Sequence, residues 1–334
     1  MHDIYWIFPW VEDDIQIPLA NLLRRIKANP NKKIVIFNPE EHDVFWHELR
    51  DNRTAIEKTL KKCNSTIEVW LGVFDFKLED SKRIKFHNWP LHLLYSTCTT
   101  EGMQTQEEKN IDKLGVSLNN VPHHFRCEFV DKLAKYKILD SCYFTWHEDK
   151  IKKLPYEFQY WKPVKSALEE PEDLGFINGA WDQYHVPAEF HKGLIHFINE
   201  STVDKLDISE KTWLAILHKK PFIIAGAKDI HKVLEDLGFK NYTDFFNFDF
   251  DNFESYSDRV ESICEQSAQY LGNDYQSMYD NVSPTITHNY NRLMEIFTNN
   301  EGVPKQLFEY LDNPPDYLNG PKYHAIKSNL DKQK

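Results

Sequence analysis

The stretch that decides the fold runs Phe197-Ile-Asn-Glu-Ser-Thr202, then Leu206-Asp-Ile-Ser-Glu-Lys-Thr-Trp-Leu-Ala-Ile-Leu217, then Lys220-Pro-Phe-Ile-Ile-Ala-Gly226. It reads as a strand over Leu194–Asn199, a short loop, a helix opening at Ser209 and a second strand over Pro221–Ala225 that ends at Gly226. Ser209 stands where an N-cap belongs, leaving backbone N–H groups and the positive end of the helix dipole at the mouth of the unit. Such an end suits an anion, Lys211 adds a mobile cation for phosphate oxygens, and Glu210 adds an acceptor suited to hydroxyls. The same residues also make an ordinary helix start, and Trp213 stands where a full capping box needs Glu or Gln.

Working outward, the same alternation recurs on both sides. Towards the N-terminus, Ile4–Phe8, Lys33–Phe37 and Thr66–Val73 read as strands, with helical spacing over Pro18–Ala28 and Glu40–Lys62. Lys113–Leu118 and Cys142–Trp146 read as further strands flanking a helix over Pro122–Tyr136. Towards the C-terminus, Asp229–Leu237 is helical and stopped by Gly238, and two long helical stretches follow, Ser257–Leu271 and Tyr275–Phe297, the second broken at Pro284. Alternating β and α at this pitch predicts an α/β fold with parallel sheets. At 334 residues the chain exceeds one ordinary core. The Pro-rich, charged stretch 147–175 suggests the division: an N-terminal α/β domain over 1–150, a linker over 151–175, a C-terminal α/β domain over 176–311 and a polar tail over 312–334. Ligands of such paired domains gather at the carboxyl ends of the strands.

Composition narrows the function. With 41% hydrophobic and 14% aromatic residues the chain carries enough apolar material for packed cores, which excludes disorder. A net charge of −12, from 40 basic against 52 acidic residues, argues against a nucleic-acid partner. Five scattered cysteines without a C-x-x-C pair read as free thiols of a reducing compartment. No stretch approaches the ~20 apolar residues that span a bilayer, and the start lacks the pattern of a signal peptide, so a cytoplasmic protein is expected. No P-loop, G-x-G-x-x-G or G-x-S-x-G is present, which disfavours kinase, dehydrogenase and hydrolase readings. His185, His191 and His196 lack the spacing of a zinc helix.

The run INES…ISEKTWLAILHKKPFIIAG…LEDLGFKNYTDFF (from Ile198) resembles the donor-binding half of bacterial and viral fucosyltransferase-like and exostosin-like glycosyltransferases. The earlier run Leu118-Asn-Asn-Val-Pro-His-His-Phe-Arg126, continued by Cys127–Leu133 and by ILDSCYFTW, resembles a helix of the same proteins' N-terminal domain. Together these cover about 118–260. The resemblance implies two Rossmann-like domains facing across a cleft (a GT-B-like fold), a nucleotide-sugar donor, a glycan acceptor, and no cofactor or essential metal. It also implies that Lys211 holds the diphosphate, that Glu210 contacts donor hydroxyls, and that Arg126 reaches the cleft from the N-terminal domain. Asn199 and Glu200 at a strand end, Ser209 and Thr212 at the helix start, and Gly226 complete the expected donor site. Arg126 has the alternative of an ion pair with Glu128 or Asp131, and Glu200 that of binding a neighbouring backbone N–H.

Inverting glycosyl transfer needs a base for the acceptor hydroxyl and positive charge for the departing diphosphate. Glu12, Asp13, Asp14, Glu40, Glu41, His123 and His124 follow strand ends or flank the motif, and Glu12, Asp13 and His123 are the first candidates for the base. Asp249-Phe-Asp251 is a D-x-D, the pattern by which metal-dependent GT-A transferases hold a divalent ion, and supplies a second enzymatic reading. A sugar- or nucleotide-binding protein without turnover is a third. Neither the sugar, the acceptor nor the oligomeric state follows from the sequence.

Overall fold

The computed structural model of the chain describes residues 4–7, 19–38, 51–72, 80–91, 94, 97–98, 110–119, 122–146, 155–163, 188–200 and 202–303. These fall into two units, one formed by Met1–Leu93 with Gly302–His324, the other by Leu94–Glu301 with Ala325–Lys334.

The first unit carries strands β1 (Ile4–Ile7), β2 (Lys33–Asn38), β3 (Thr66–Leu71) and β4 (Ile84–Asn88), all parallel and in that order. Helix α1 (Leu19–Ala28) presents Leu22 and Ile26 inward, and α2 (Arg53–Cys63) presents Ile56 and Leu60. Both faces close on Ile34, Ile36, Ile67, Val69, Leu71 and Ile84 of the sheet, a core of aliphatic side chains withdrawn from water. Asn64 ends α2 in the left-handed conformation, φ 52°, a role asparagine fills more readily than branched residues.

The second unit carries β5 (Lys113–Leu118), β6 (Cys142–Thr145), β7 (Gly193–Asn199) and β8 (Phe222–Ala225), again all parallel, in the order β6-β5-β7-β8. Every residue of β7 is buried, as a central strand covered on both faces requires. Helix α3 (His124–Lys135) joins β5 to β6 and sets Phe129 edge-on against Phe197, and α4 (Glu210–Leu217) joins β7 to β8. Helices α5 (Ile230–Asp236), α6 (Tyr256–Ala268), α7 (Tyr275–Asn281) and α8 (Ser283–Thr298) follow, with Pro284 in the first turn of α8 where its missing N–H costs nothing. Gly238, at φ +89°, ends α5 as expected. Glu261 of α6 receives Lys132, Lys135 and Tyr136 from α3 and its end; burial raises its pKa, those donors outweigh burial, and the carboxyl is held down at about 2. All five cysteines are free, and burial pushes the thiols of Cys98 and Cys127 up to about 12.

The chain divides differently from the expected boundary at 150. β5 and β6 are hydrogen-bonded into the same sheet as β7 and β8, so residues 113–145 belong with the C-terminal elements. Part of the expected linker is pinned as well. The buried carboxylate of Asp131 on α3 accepts the N–H groups of Gln159, Tyr160 and Trp161 at 2.8–2.9 Å and the Tyr156 hydroxyl at 3.3 Å. Tyr156, Phe158 and Trp161 then pack with Trp146 and Phe144 against Cys127 and Val130. Charge and proline made this stretch look like a linker, whereas one carboxylate and an aromatic cluster tie it down.

The pairing of β5 with β7 leaves no room for side chains at two glycines. A Cβ on Gly115 would lie 2.3 Å from Phe197 Cε2 and 2.8 Å from the Ile195 carbonyl oxygen, and one on Gly193 would lie 2.6 Å from the Gly115 carbonyl. Gly115→Ala should therefore cost about 1–3 kcal/mol through forced displacement of a packed ring and backbone. Denaturant unfolding checks this, and a change below about 0.5 kcal/mol, the scale of a neutral surface substitution, would refute the tight approach.

Candidate functional site

In the second sheet the chain runs from β5 outward to β6, then crosses back to add β7 on the other side of β5. Such a reversal opens a crevice at the carboxyl ends of the two inner strands, because the connections leave in opposite directions. Asn119 stands just past β5, and Asn199 is the last residue of β7.

Arg126 lies in the first turn of α3, immediately after β5, and is 5% exposed. Its Nε donates to the Asn199 carbonyl at 3.2 Å, and Asn199 Nδ2 returns a bond to the Arg126 carbonyl at 3.2 Å. Next along β7, the buried carboxylate of Glu200 accepts the Ser209 hydroxyl at 2.8 Å and the Ser209 N–H at 3.3 Å. The expected alternative for Glu200, a bond to a neighbouring backbone N–H, is thus present. Ser209 occupies the N-cap position of α4, but its hydroxyl makes no cap bond to the first turn and instead donates to Glu200. Lys211 Nζ donates to that hydroxyl at 3.4 Å and to Glu210 Oε1 at 3.0 Å, so a relay Lys211–Ser209–Glu200 crosses the crevice edge. Burial raises the pKa of Glu210, but Lys211, a backbone N–H and then Arg126 together outweigh it, so the carboxyl titrates below the ordinary glutamate range. A Cβ on Gly226 would lie 3.3 Å from Glu200 Cγ, which places this glycine against the relay. Thr212 is fully buried in the first turn of α4, and its hydroxyl has no partner among the described residues.

The structure therefore brings Arg126, Asn199, Glu200, Ser209, Glu210, Lys211 and Gly226 together within one unit. Arg126 was expected on a separate N-terminal domain; it sits instead on α3 of the same unit as Asn199, whose carbonyl it contacts. His123, also expected in that domain, takes the N-cap position of α3 in the second unit and is exposed. His124 Nδ1 lies 3.0 Å from the Pro155 carbonyl oxygen. Glu12, Asp13, Asp14, Glu40 and Glu41 lie outside the described residues.

The D-x-D is committed elsewhere. Asp251 is buried in a short 3-10 turn, with one carboxylate oxygen 2.8 Å from His231 Nδ1 and the other accepting the N–H groups of His231 and Lys232, so it anchors the start of α5. Asp249 is exposed and bonded to Asn247. Arg259, unnoticed in the sequence, donates from Nε and Nη2 to the Gly226 carbonyl at 3.3 and 3.0 Å and holds the exit of β8. Asn119 was also unmarked, although it heads the N-x-x-P-H-x-x-R stretch that ends at Arg126. Among the described residues no group of three or more His, Cys, Asp or Glu could hold a metal ion, and no helix is long and apolar enough to cross a membrane.

The sequence matches no protein family and no curated protein. Among solved structures, the fold is similar to T4 phage BGT in complex with its UDP-glucose substrate, at 11% identity and a TM-score of 0.42, covering 99% of this chain and 82% of that one. It is also similar to an alpha1,3-fucosyltransferase, at 11% identity and a TM-score of 0.34, covering 87% and 91%. Likeness this loose carries no inference about activity.

Within β7, His196 is 2% exposed, with neither ring nitrogen hydrogen-bonded among the described residues. Burial, and then the charges of Lys220 and Lys211, press its pKa down to about 3. The unfolded side chain takes up a proton below about 6.5, so the unfolded state binds more protons between there and pH 3. Stability should consequently fall as pH drops through that window, by up to about 1.4 kcal/mol per pH unit from this group. His196→Leu removes that slope. Urea midpoints of the variant and the parent should diverge in the variant's favour from pH 7 to pH 5, and parallel curves would refute a neutral buried imidazole.

Proposed function

We propose that this chain is a glycosyltransferase that moves a sugar from a nucleotide-diphosphate-sugar donor to a glycan hydroxyl, with inversion and without a metal ion. One observation supports the reading above the others. Arg126, Lys211 and the start of α4 cluster with the carboxylates of Glu200 and Glu210 at the strand-order reversal of a parallel sheet. A diphosphate needs cations and N–H donors, and sugar hydroxyls need acceptors; both kinds stand at this edge. The guanidinium of Arg126 and the ammonium of Lys211 would stabilise the charge that grows on the leaving diphosphate. The resemblance of 118–260 to fucosyltransferase-like and exostosin-like proteins points the same way.

In the reaction, the acceptor oxygen forms a bond to the anomeric carbon from the face opposite the diphosphate. The bond from that carbon to the diphosphate oxygen breaks, and the electron pair leaves with the nucleoside diphosphate. The acceptor proton passes to a base, for which Glu12, Asp13 and His123 are the candidates. Glu210, drawn below the ordinary range by Lys211 and Arg126, is ionised at neutral pH and suited to accept donor hydroxyls. Against the metal-dependent alternative stands the engagement of Asp251 with His231 and the α5 backbone.

Lys211→Ala should weaken nucleoside-diphosphate binding about tenfold or more, the scale of a lost charge-assisted bond. Calorimetric titration with UDP and GDP checks it, and an unchanged dissociation constant would sink the site. Binding of nucleotide sugars without release of nucleoside diphosphate across a panel of acceptors would instead favour the non-catalytic binding protein.

A further inference from the structure

Parallel pairing of β5 with β7 runs in a fixed register, Val116 opposite His196 and Gly115 opposite Ile195, a constant separation of 80 positions. Carried three residues on, that register sets Asn119 opposite Asn199, at the edge where the strands end. The two side chains meet there: Asn199 Nδ2 donates to Asn119 Oδ1 at 3.2 Å, with Asn119 and Asn199 each 1% exposed. Asn119 is engaged on its other sides as well. Its Nδ2 donates to the Ser117 hydroxyl at 3.0 Å and carbonyl at 3.3 Å, and its N–H donates to Thr145 Oγ1, on β6, at 2.8 Å. One residue, through its backbone N–H and its side-chain amide, therefore ties together three neighbouring strands.

What the network carries is Arg126. Asn199 grips it at two points, accepting Nε on its own carbonyl and donating Nδ2 to the Arg126 carbonyl. The acceptor offered to Nε is a neutral carbonyl, which orients the guanidinium. We propose that Asn119 is a positioning residue: through the Asn199 side chain, which holds the Arg126 backbone carbonyl, it sets Arg126 at the carboxyl edge of β5 and β7 for an anionic, diphosphate-like ligand. The assignment rests on the reading of this edge as a diphosphate site. An amide is the group that can do this work. It gives and accepts at once, whereas an aspartate would face the Ser117 carbonyl with an oxygen that finds no donor there.

A double-mutant cycle on the full chain tests the role, with inorganic pyrophosphate and UDP as the titrated ligands. Asn119→Ala should weaken both about fivefold to tenfold, while in the Arg126→Gln background the same change should cost nothing further, since the residue it positions is gone. Asn119→Asp should be at least as weak as Asn119→Ala. Thr145→Val, one bond further back, should weaken binding in the same direction, and Thr145→Ser, which keeps the hydroxyl, should restore it. This second pair decides the matter if Asn119→Ala does not fold. Equal losses with and without Arg126 would overturn the positioning role while leaving the diphosphate site intact, provided Lys211→Ala still weakens binding. A wild-type chain that binds neither pyrophosphate nor UDP would overturn the site itself.

Discussion

The pairing of β5 with β7 is the contact on which the second unit depends. It joins segments 80 positions apart in the chain, and it does so at a spacing that only glycine permits at residues 115 and 193. The ring of Phe197 lies where a Gly115 side chain would be, and Phe129 of α3 closes over the same face. From that register follow the positions of both asparagines, of Arg126 just after β5 and of Glu200 just after β7. Backbone hydrogen bonds and apolar packing therefore bring the charged groups of the strand ends to one edge, where Lys211 then pairs with Glu210. This ordering suits a chain with a net charge of −12, which must gather its cations locally if it is to hold an anion.

Much of this was legible in the sequence because the signals were local. Runs such as Lys-Ile-Val-Ile-Phe37 and Phe-Ile-Ile-Ala225 declare buried parallel strands, and Gly238 and Pro284 mark helix ends where they stand. Strand β4 has no such signal: Ile-Lys-Phe-His-Asn88 offers two apolar residues amid charge, and its strand character comes from pairing with β3. The domain boundary was misplaced for a related reason. Composition reports how polar a stretch is, but says nothing of a distant carboxylate such as Asp131 that satisfies its backbone. Arg259 and Asn119 were equally invisible, since a buried polar residue is recognised by its partners and those lie 33 and 80 positions away.

The relay at the edge of α4 shows how a familiar local pattern is redirected by tertiary context. A serine before Glu-Lys-Thr reads as an N-cap, and in position it is one. The carboxylate of Glu200, brought alongside by the turn from β7 and given space by Gly226, takes the hydroxyl for itself. The serine becomes a bridge between a buried acid and the Lys211 ammonium, and α4 begins without a side-chain cap.

Asp131 has a consequence beyond marking a boundary. Residues 155–163 form neither helix nor strand, yet three successive amide protons, on Gln159, Tyr160 and Trp161, end on the two oxygens of one side chain. Releasing the segment from α3 frees all three protons together. In hydrogen exchange the segment should behave as a single cooperative unit with the slow rates of a packed element. A chain cut short before residue 155 would leave that carboxylate buried without its donors.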